Sequence, residues 1–167
     1  AKALHLHVRH VERVTGSAPL CLTEEEKRLR KLQQTLQKEA IAEAPAAPRA
    51  LLESITGVGP WIATVILAEV GNLAKYTSGD ALVAAAGLDP RVRQSGVLLH
   101  TTGKLTKRGS PFLRTALFQS AMTARCFDPD LKNYYERKRK EGKGYTVAIC
   151  AVARKMAHRI HAVAKRG

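Results

Sequence analysis

The stretch Leu51-Leu52-Glu53-Ser54-Ile55-Thr56-Gly57-Val58-Gly59-Pro60-Trp61-Ile62-Ala63 decides the fold. Leu51, Leu52 and Ile55 close the apolar side of one helix. Gly57 can take the positive φ that ends it. Gly59 lets a neighbouring backbone or ligand come close, and Pro60 suits the first turn of the next helix. Ala63, Ile66, Leu67 and Val70 give that second helix an apolar face.

This arrangement resembles a helix-hairpin-helix, whose pattern is apolar-Pro-Gly-apolar-Gly followed by a helix; Thr56 stands where proline is usual. The backbone at Gly57, Val58 and Gly59, together with the free amides of a helix N-terminus, can cradle a phosphate without reading bases. A tight turn of the same composition can also serve only to pack two helices.

Working outward, Pro45-Ala46-Ala47-Pro48 marks a boundary, because each proline biases its predecessor away from helix. The expected organisation is a helical hairpin or coiled-coil linker over 1–45 and a compact domain over 46–167. In the linker, Leu4, Val8 and Val11 read as the tail of one helix, broken by Gly16-Ser17-Ala18-Pro19. Thr23 ahead of Glu24-Glu25-Glu26 reads as a capping box that opens a second helix running to about Glu43. Its stripe Leu29, Leu32, Leu36 and Ala40 is expected to pack within the chain, being too short to argue for a sustained coiled coil. In the compact domain the pattern predicts helices near 48–54, 60–71, 78–86, 110–126, 129–139 and 145–165. The stretch 88–108 has no helical period and is expected to be a long irregular loop, with room for a short hairpin around Val97–Leu105. The fold class is therefore all-α for the most part.

The bulk numbers agree. Of 167 residues 45% are hydrophobic but only 5% aromatic, so the core must be built from Ala, Leu, Val and Ile, which favours close helix packing. The net charge of +14 is one-sided. Residues 100–167 hold 16 Lys/Arg against 4 Asp/Glu, whereas residues 1–99 hold 12 against 10. That asymmetry points to a polyanionic partner, nucleic acid first. Cys21, Cys126 and Cys150 lack metal-site or disulfide-frame spacing and read as small apolar residues in a reducing compartment. No apolar run approaches a membrane span, so no membrane partner is expected. The chain opens on Ala1 directly into helical pattern, and we expect it to be a piece of a longer protein.

The second informative region runs from Gly87-Leu88-Asp89-Pro90-Arg91-Val92-Arg93-Gln94-Ser95-Gly96 to Lys107-Arg108-Gly109-Ser110-Pro111-Phe112-Leu113-Arg114. Ser95 is a lone hydroxyl beside a glycine, with Arg91 and Arg93 upstream and Lys104, Lys107 and Arg108 downstream. Ser110 and Pro111 read as N-cap and first residue of a helix. Arg114, one turn in, is expected to face the anion-welcoming end of that helix.

In order, Ile-x-Gly-Val-Gly-Pro, Ala-Gly-Leu-Asp-Pro, Gln-Ser-Gly and Thr-Lys-Arg-Gly-Ser-x-x-Leu-Arg resemble the C-terminal transposase domain of the DEDD-type insertion-sequence recombinases. These are the insertion sequence one-ten family with its one-sixteen and nine-oh-two relatives, which includes the Piv pilin-gene invertases. The likeness covers roughly residues 48–160. It implies that Ser95 is the family's serine nucleophile and that helix 23–44 is part of a linking coiled coil. It implies, further, that a RuvC-like domain outside this chain supplies acidic ligands for a divalent metal such as Mg. The chain itself is then expected to hold no cofactor and no metal, and to be inactive alone. The implied partners are DNA, a structured guide RNA and further copies of the full-length protein, in the bacterial cytoplasm. Ser110 stands where asparagine is common in the family, which fits a capping role.

A serine hydroxyl needs a base, a metal or a strongly positive pocket to become a nucleophile. The resemblance implies activation across domains, with metal ions of the missing acidic domain orienting the DNA phosphate for Ser95 and Arg91, Arg93 and Arg114 offsetting the charge on phosphorus; His100 as a base is the alternative, against a solvated loop histidine. Tyr134 or Tyr135 is an alternative nucleophile lacking a surrounding His/Arg motif. For these tyrosines we expect packing, and for Arg137-Lys138-Arg139-Lys140 contact with phosphates. Two other classes compete with the recombinase reading. One is a helix-hairpin-helix module that grips nucleic-acid backbones without chemistry. The other is a basic structural RNA-binding protein.

Overall fold

The computed structural model describes residues 20–95 and 98–166; the side chains of 20–23, Ala74, 91–95 and 98–104 lie outside it. The expected first linker helix and its Gly16–Pro19 break therefore fall outside the described residues. The chain divides between Glu43 and Ala44 into two units.

The first unit contains α1, Leu20–Glu43. Thr23 lies inside this helix rather than capping it, so the capping-box expectation is corrected. Leu20, Cys21 and Leu22 are all tolerated in helix, and the acidic turn that follows did not have to be a first turn. Ion pairs a turn apart run along the helix, Lys27 with Glu24 at 2.8 Å and Arg30 with Glu26. Leu32 and Leu36 of the apolar stripe are each 55% exposed, and the preceding helix expected to pack on it lies outside the described residues.

The second unit is helical apart from one ribbon. Its elements are α2 (Ala46–Glu53), α3 (Pro60–Val70), a 3-10 turn (Leu73–Lys75), α4 (Gly79–Ala85), β1 (Pro90–Ser95), β2 (Leu98–Leu105), α5 (Pro111–Phe127), α6 (Pro129–Lys140) and α7 (Tyr145–Arg166). The mostly α-helical class is as expected, and the helix ends fall close to the expected ones. Helix α2 begins ahead of Pro48, since proline is tolerated in a first turn, where the amide it lacks would be unpaired anyway.

Helix α7 runs through the middle. Ile149, Val152, Ala153, Met156, Ala157 and Ile160 are fully buried along it. Around it pack α5, α4, α6, α2 and the 3-10 turn. Small residues make the close approaches possible. A Cβ on Gly79 would overlap the His158 ring of α7. On α5, Ala116, Ser120, Ala121 and Ala124 are buried, and Ser120 satisfies its hydroxyl on Leu117 O at 2.9 Å.

One residue joins α5 to α6. Asp128 ends the first helix and caps the second, accepting from Leu131 N at 3.0 Å, while Pro129 takes the first helical position. Arg159 of α7 pairs with the same carboxylate. Burial alone would raise the Asp128 carboxyl. The amides of Leu131 and Asp130 and the Arg159 guanidinium outweigh it and hold the group below the ordinary carboxylate range.

The stretch expected as an irregular loop with room for a hairpin is a two-stranded antiparallel ribbon, β1 with β2, with a register irregularity between Pro90 and Val92. Strand pairing thus begins at Pro90, ahead of the expected hairpin around Val97–Leu105, because the backbone groups of an excursion this long need partners.

Candidate nucleic-acid interface

Three local structures carry the residues singled out above. The first is the turn between α2 and α3. Ile55 and Val58 are buried, at 7% and 4% exposure, and Val58 N donates to Ile55 O at 3.0 Å. Gly57 has φ +93°, and a Cβ there would lie 2.6 Å from Ser120 O and 2.8 Å from Ala124 Cβ of α5. Gly57 and Val58 thus press the turn onto the body. Gly59 differs: it caps α3 with extended backbone, and nothing lies within 4 Å of the place its Cβ would occupy. A recess of about 520 Å³ opens beside it, lined by Ile55, Thr56, Gly57, Ile62 and Thr123 among others. The first amides of α3 have no helical partner, as at any helix start. Glu53, at the recess edge, is held by Arg49 at 3.0 Å.

The second is the ribbon. Ser95 is the last residue of β1 and pairs with Leu98; Arg93 pairs with His100. His100 is therefore not the residue opposite Ser95. The side chains of Ser95, Arg91, Arg93, His100 and Lys104 lie outside the described residues.

The third is the root of the ribbon, where the chain leaves α4 and returns to α5. Gly87 N donates to Ala84 O at 2.8 Å and Leu88 N to Val83 O at 3.0 Å. This is a Schellman end for α4, with Gly87 at φ +63° and Leu88 fully buried. The returning strand crosses it backbone to backbone. Thr106 N reaches Asp89 O at 2.9 Å, Lys107 N reaches Gly87 O at 3.1 Å and Ser110 N reaches Ala85 O at 2.8 Å. A Cβ on Gly87 would lie 2.7 Å from Gly109 N, and one on Gly109 would overlap Ala85 O. Lys107 is the one non-glycine residue with positive φ, at +55°, among the described residues. Lys107 and Arg108 are exposed.

Ser110 is the N-cap expected of it, accepting from Leu113 N at 3.1 Å. Its hydroxyl also donates to Glu69 Oε2 at 2.5 Å, tying α5 to α3. Sequence reasoning missed Glu69, and no local signal marks it. Arg114 is half-buried, and its Nη1 donates to Ala86 O at 3.0 Å and, more weakly, to Gly109 O at 3.5 Å. Part of its guanidinium is committed to the protein's own carbonyls.

On α6, Tyr134 and Tyr135 pack against the core, as expected. Lys155, Arg137 and Lys138 stand over the Tyr134 ring at 4.5, 5.1 and 5.6 Å, and Arg125 over Tyr135 at 5.0 Å. Much of the basic run is already engaged: Lys138 bonds Glu141 at 2.7 Å and Arg139 bonds Lys143 O at 2.9 Å. Among the described residues no group of three His, Cys, Asp or Glu side chains is placed to hold a metal ion, and no helix is long and apolar enough to cross a membrane.

Residues 49–136, just over half of the chain and spanning the turn, the ribbon and its root, match the family described as Transposase IS116/IS110/IS902. The chain is 35% identical over 133 residues to the 43.6 kDa protein of insertion element IS110 of Streptomyces coelicolor, covering 78% of this chain and 32% of that protein. It is 36% identical over 106 residues to the 42 kDa protein of insertion element IS900 of Mycobacterium paratuberculosis, covering 63% and 26%. It is also 31% identical over 107 residues to the pilin gene-inverting protein of Moraxella bovis, covering 64% and 33%. The chain thus spans about a third or less of the length of these relatives.

Proposed function

The chain belongs to the IS116/IS110/IS902 family of transposases, and from that premise we propose that it is the DNA-binding and strand-joining part of a transposase or site-specific recombinase. Ser95 is the nucleophile. Its hydroxyl gives up a proton, Oγ bonds to a DNA phosphorus, and one phosphorus–oxygen bond to deoxyribose breaks, leaving a phosphoserine link and a free sugar hydroxyl that takes up a proton. The observation that carries this reading is the placement of Ser95. It ends a strand of a ribbon that is rooted, through Lys107-Arg108-Gly109-Ser110, in the region matched by the family.

The side chains of Arg91, Arg93 and Lys104 on the ribbon, and the exposed Lys107 and Arg108 at its root, offset phosphate charge. The open backbone at Gly59, set by Gly57 and Val58, takes a second phosphate without reading sequence. A divalent metal belongs to an acidic domain elsewhere in the whole protein, where it would polarise the phosphate. The described residues of this chain do not fit a metal, so no step here runs through one. In the whole protein the further partners are DNA, a structured guide RNA and additional copies, acting in the bacterial cytoplasm. The chain by itself binds nucleic acid and joins no strands.

The test uses the full-length protein. A covalent DNA adduct is trapped, digested and mapped to the modified residue. We expect Ser95, and expect Ser95→Ala to bind nucleic acid normally while forming no adduct. An adduct on Tyr134, Tyr135 or any other residue would overturn the assignment. Strand exchange by Ser95→Ala at the wild-type rate would leave the second reading, a helix-hairpin-helix module without chemistry, which the open recess beside Gly59 favours.

A further inference from the structure

We propose that Arg114 is a positioning residue: its guanidinium clasps the two roots of the ribbon together, and so sets where Ser95 is presented, instead of holding a nucleic-acid phosphate. This rests on the reading of Ser95 as nucleophile. Arg114 sits on α5, immediately after the returning strand, and its Nη1 reaches Ala86 O at 3.0 Å, at the end of the helix from which the outgoing strand departs. That one bond therefore spans the root. The 3.5 Å contact to Gly109 O adds the returning backbone to the same nitrogen.

Everything else at the root leaves the clasp little freedom. The backbones of Gly87 and Gly109 touch, so neither strand can slide without parting them. Ser110 N on Ala85 O and Lys107 N on Gly87 O close the crossing on both sides of that contact. Lys107 takes the left-handed conformation that a lysine adopts only when its surroundings over-determine it. Ser110 in turn is fixed to Glu69 of α3, so the root is also tied to the helix that follows the glycine turn. The carbonyl of Ala86 is one that α4 leaves without a helical partner, and the guanidinium supplies a charged donor to it. A phosphate ligand would have to compete with that carbonyl for Nη1 or turn to Nη2 and Nε.

The clasp and a phosphate contact predict different results in the full-length protein. For a clasp, Arg114→Ala and Arg114→Lys both slow adduct formation at saturating DNA by tenfold or more, because lysine keeps the charge but not the planar fork. The half-saturating DNA concentration stays within twofold of wild type, and the slope of log affinity against log salt does not change. Hydrogen exchange at the Thr106, Lys107 and Ser110 amides, which donate across the root, quickens at least tenfold while the amides of α7 stay protected. Gly109→Ala, which drives a methyl into Ala85 O, reproduces this pattern and serves should Arg114→Ala fold poorly.

Three results would overturn the proposal: a salt slope lowered by about one in Arg114→Ala and restored in Arg114→Lys, the mark of a phosphate contact; an unchanged rate of adduct formation; or unchanged exchange at the root. The last stands apart from the nucleophile. If Ser95→Ala still forms the adduct, the functional reading falls, while the exchange measurement continues to judge the clasp.

Discussion

Two glycines in one turn have opposite duties, and substitution separates them. Gly57 has positive φ and no space, whereas Gly59 has ordinary φ and open space. Gly57→Ala combines a left-handed alanine, about 1–2 kcal/mol, with overpacking against α5, about 1–3 kcal/mol, so thermal or urea unfolding should show a loss of about 2–5 kcal/mol. Gly59→Ala should leave stability within about 0.5 kcal/mol of wild type. If phosphates approach that backbone, a gel-shift titration should nevertheless show weaker binding. The cysteines separate in a similar way. Cys126 is exposed; Cys150 is buried, and burial pushes its thiol up against the pull of Arg154 and Arg114. Under native conditions near pH 8, a thiol reagent followed by peptide mass spectrometry should modify Cys126 and leave Cys150 until the fold opens.

At the scale of elements, the α5–α6 junction carries a pH dependence whose sign follows from Asp128. Its folded carboxyl lies below the ordinary range, so its contribution is present above the unfolded value near 4 and is lost as pH falls through the lower folded value. Wild-type stability should therefore fall on acidification below about pH 4, and Asp128→Ala should lose part of that fall together with about 1–2 kcal/mol at neutral pH. Asp128→Asn keeps a good cap but loses the charge facing Arg159. It should sit between the two at neutral pH, as measured by denaturant titration across pH 2–7. The same scale shows what could be read along the chain. Gly87 before Leu88 announces a helix end, and Ser110-Pro111 announces a start, because caps are local chemistry. The ribbon was harder to read. Thr101, Thr102 and Gly103 give no clean alternation, and the register irregularity after Pro90 breaks what alternation there is. Thr23 misled because a capping signature says nothing about whether the residues before it can also be helical. The true partners of Arg114 and Ser110 depend on α4 ending beside the start of α5 and on α3 lying close by. No spacing in the sequence encodes that meeting.

For the molecule as a whole, the charge asymmetry is expected to govern the proposed nucleic-acid binding. The excess of 16 basic over 4 acidic residues from position 100 onward is spread over β2, the root, α5, α6 and α7. Binding of duplex or single-stranded nucleic acid should weaken steeply with salt, by about a thousandfold or more between 50 and 200 mM if six or more phosphates are engaged. Removing Arg108 alone should lower the salt slope by about one, measured by fluorescence anisotropy over a salt series. Salt-insensitive binding would mean that the basic surface serves only solubility. The charge excess itself is legible from composition. Which cations remain available was not, because the pairing of Lys138 with Glu141 and of Arg159 with Asp128 appears only once α6 and α7 are folded.

The touching backbones of Gly87 and Gly109 make the excursion between them a detachable module. Its two ends are held at one point by the helices, so the cost of closing it rises only slowly with its length. The tip can therefore be shortened, lengthened or exchanged with that of a relative while the helices beneath keep their own register. Evolution can redesign the far end of such a ribbon without rebuilding its scaffold.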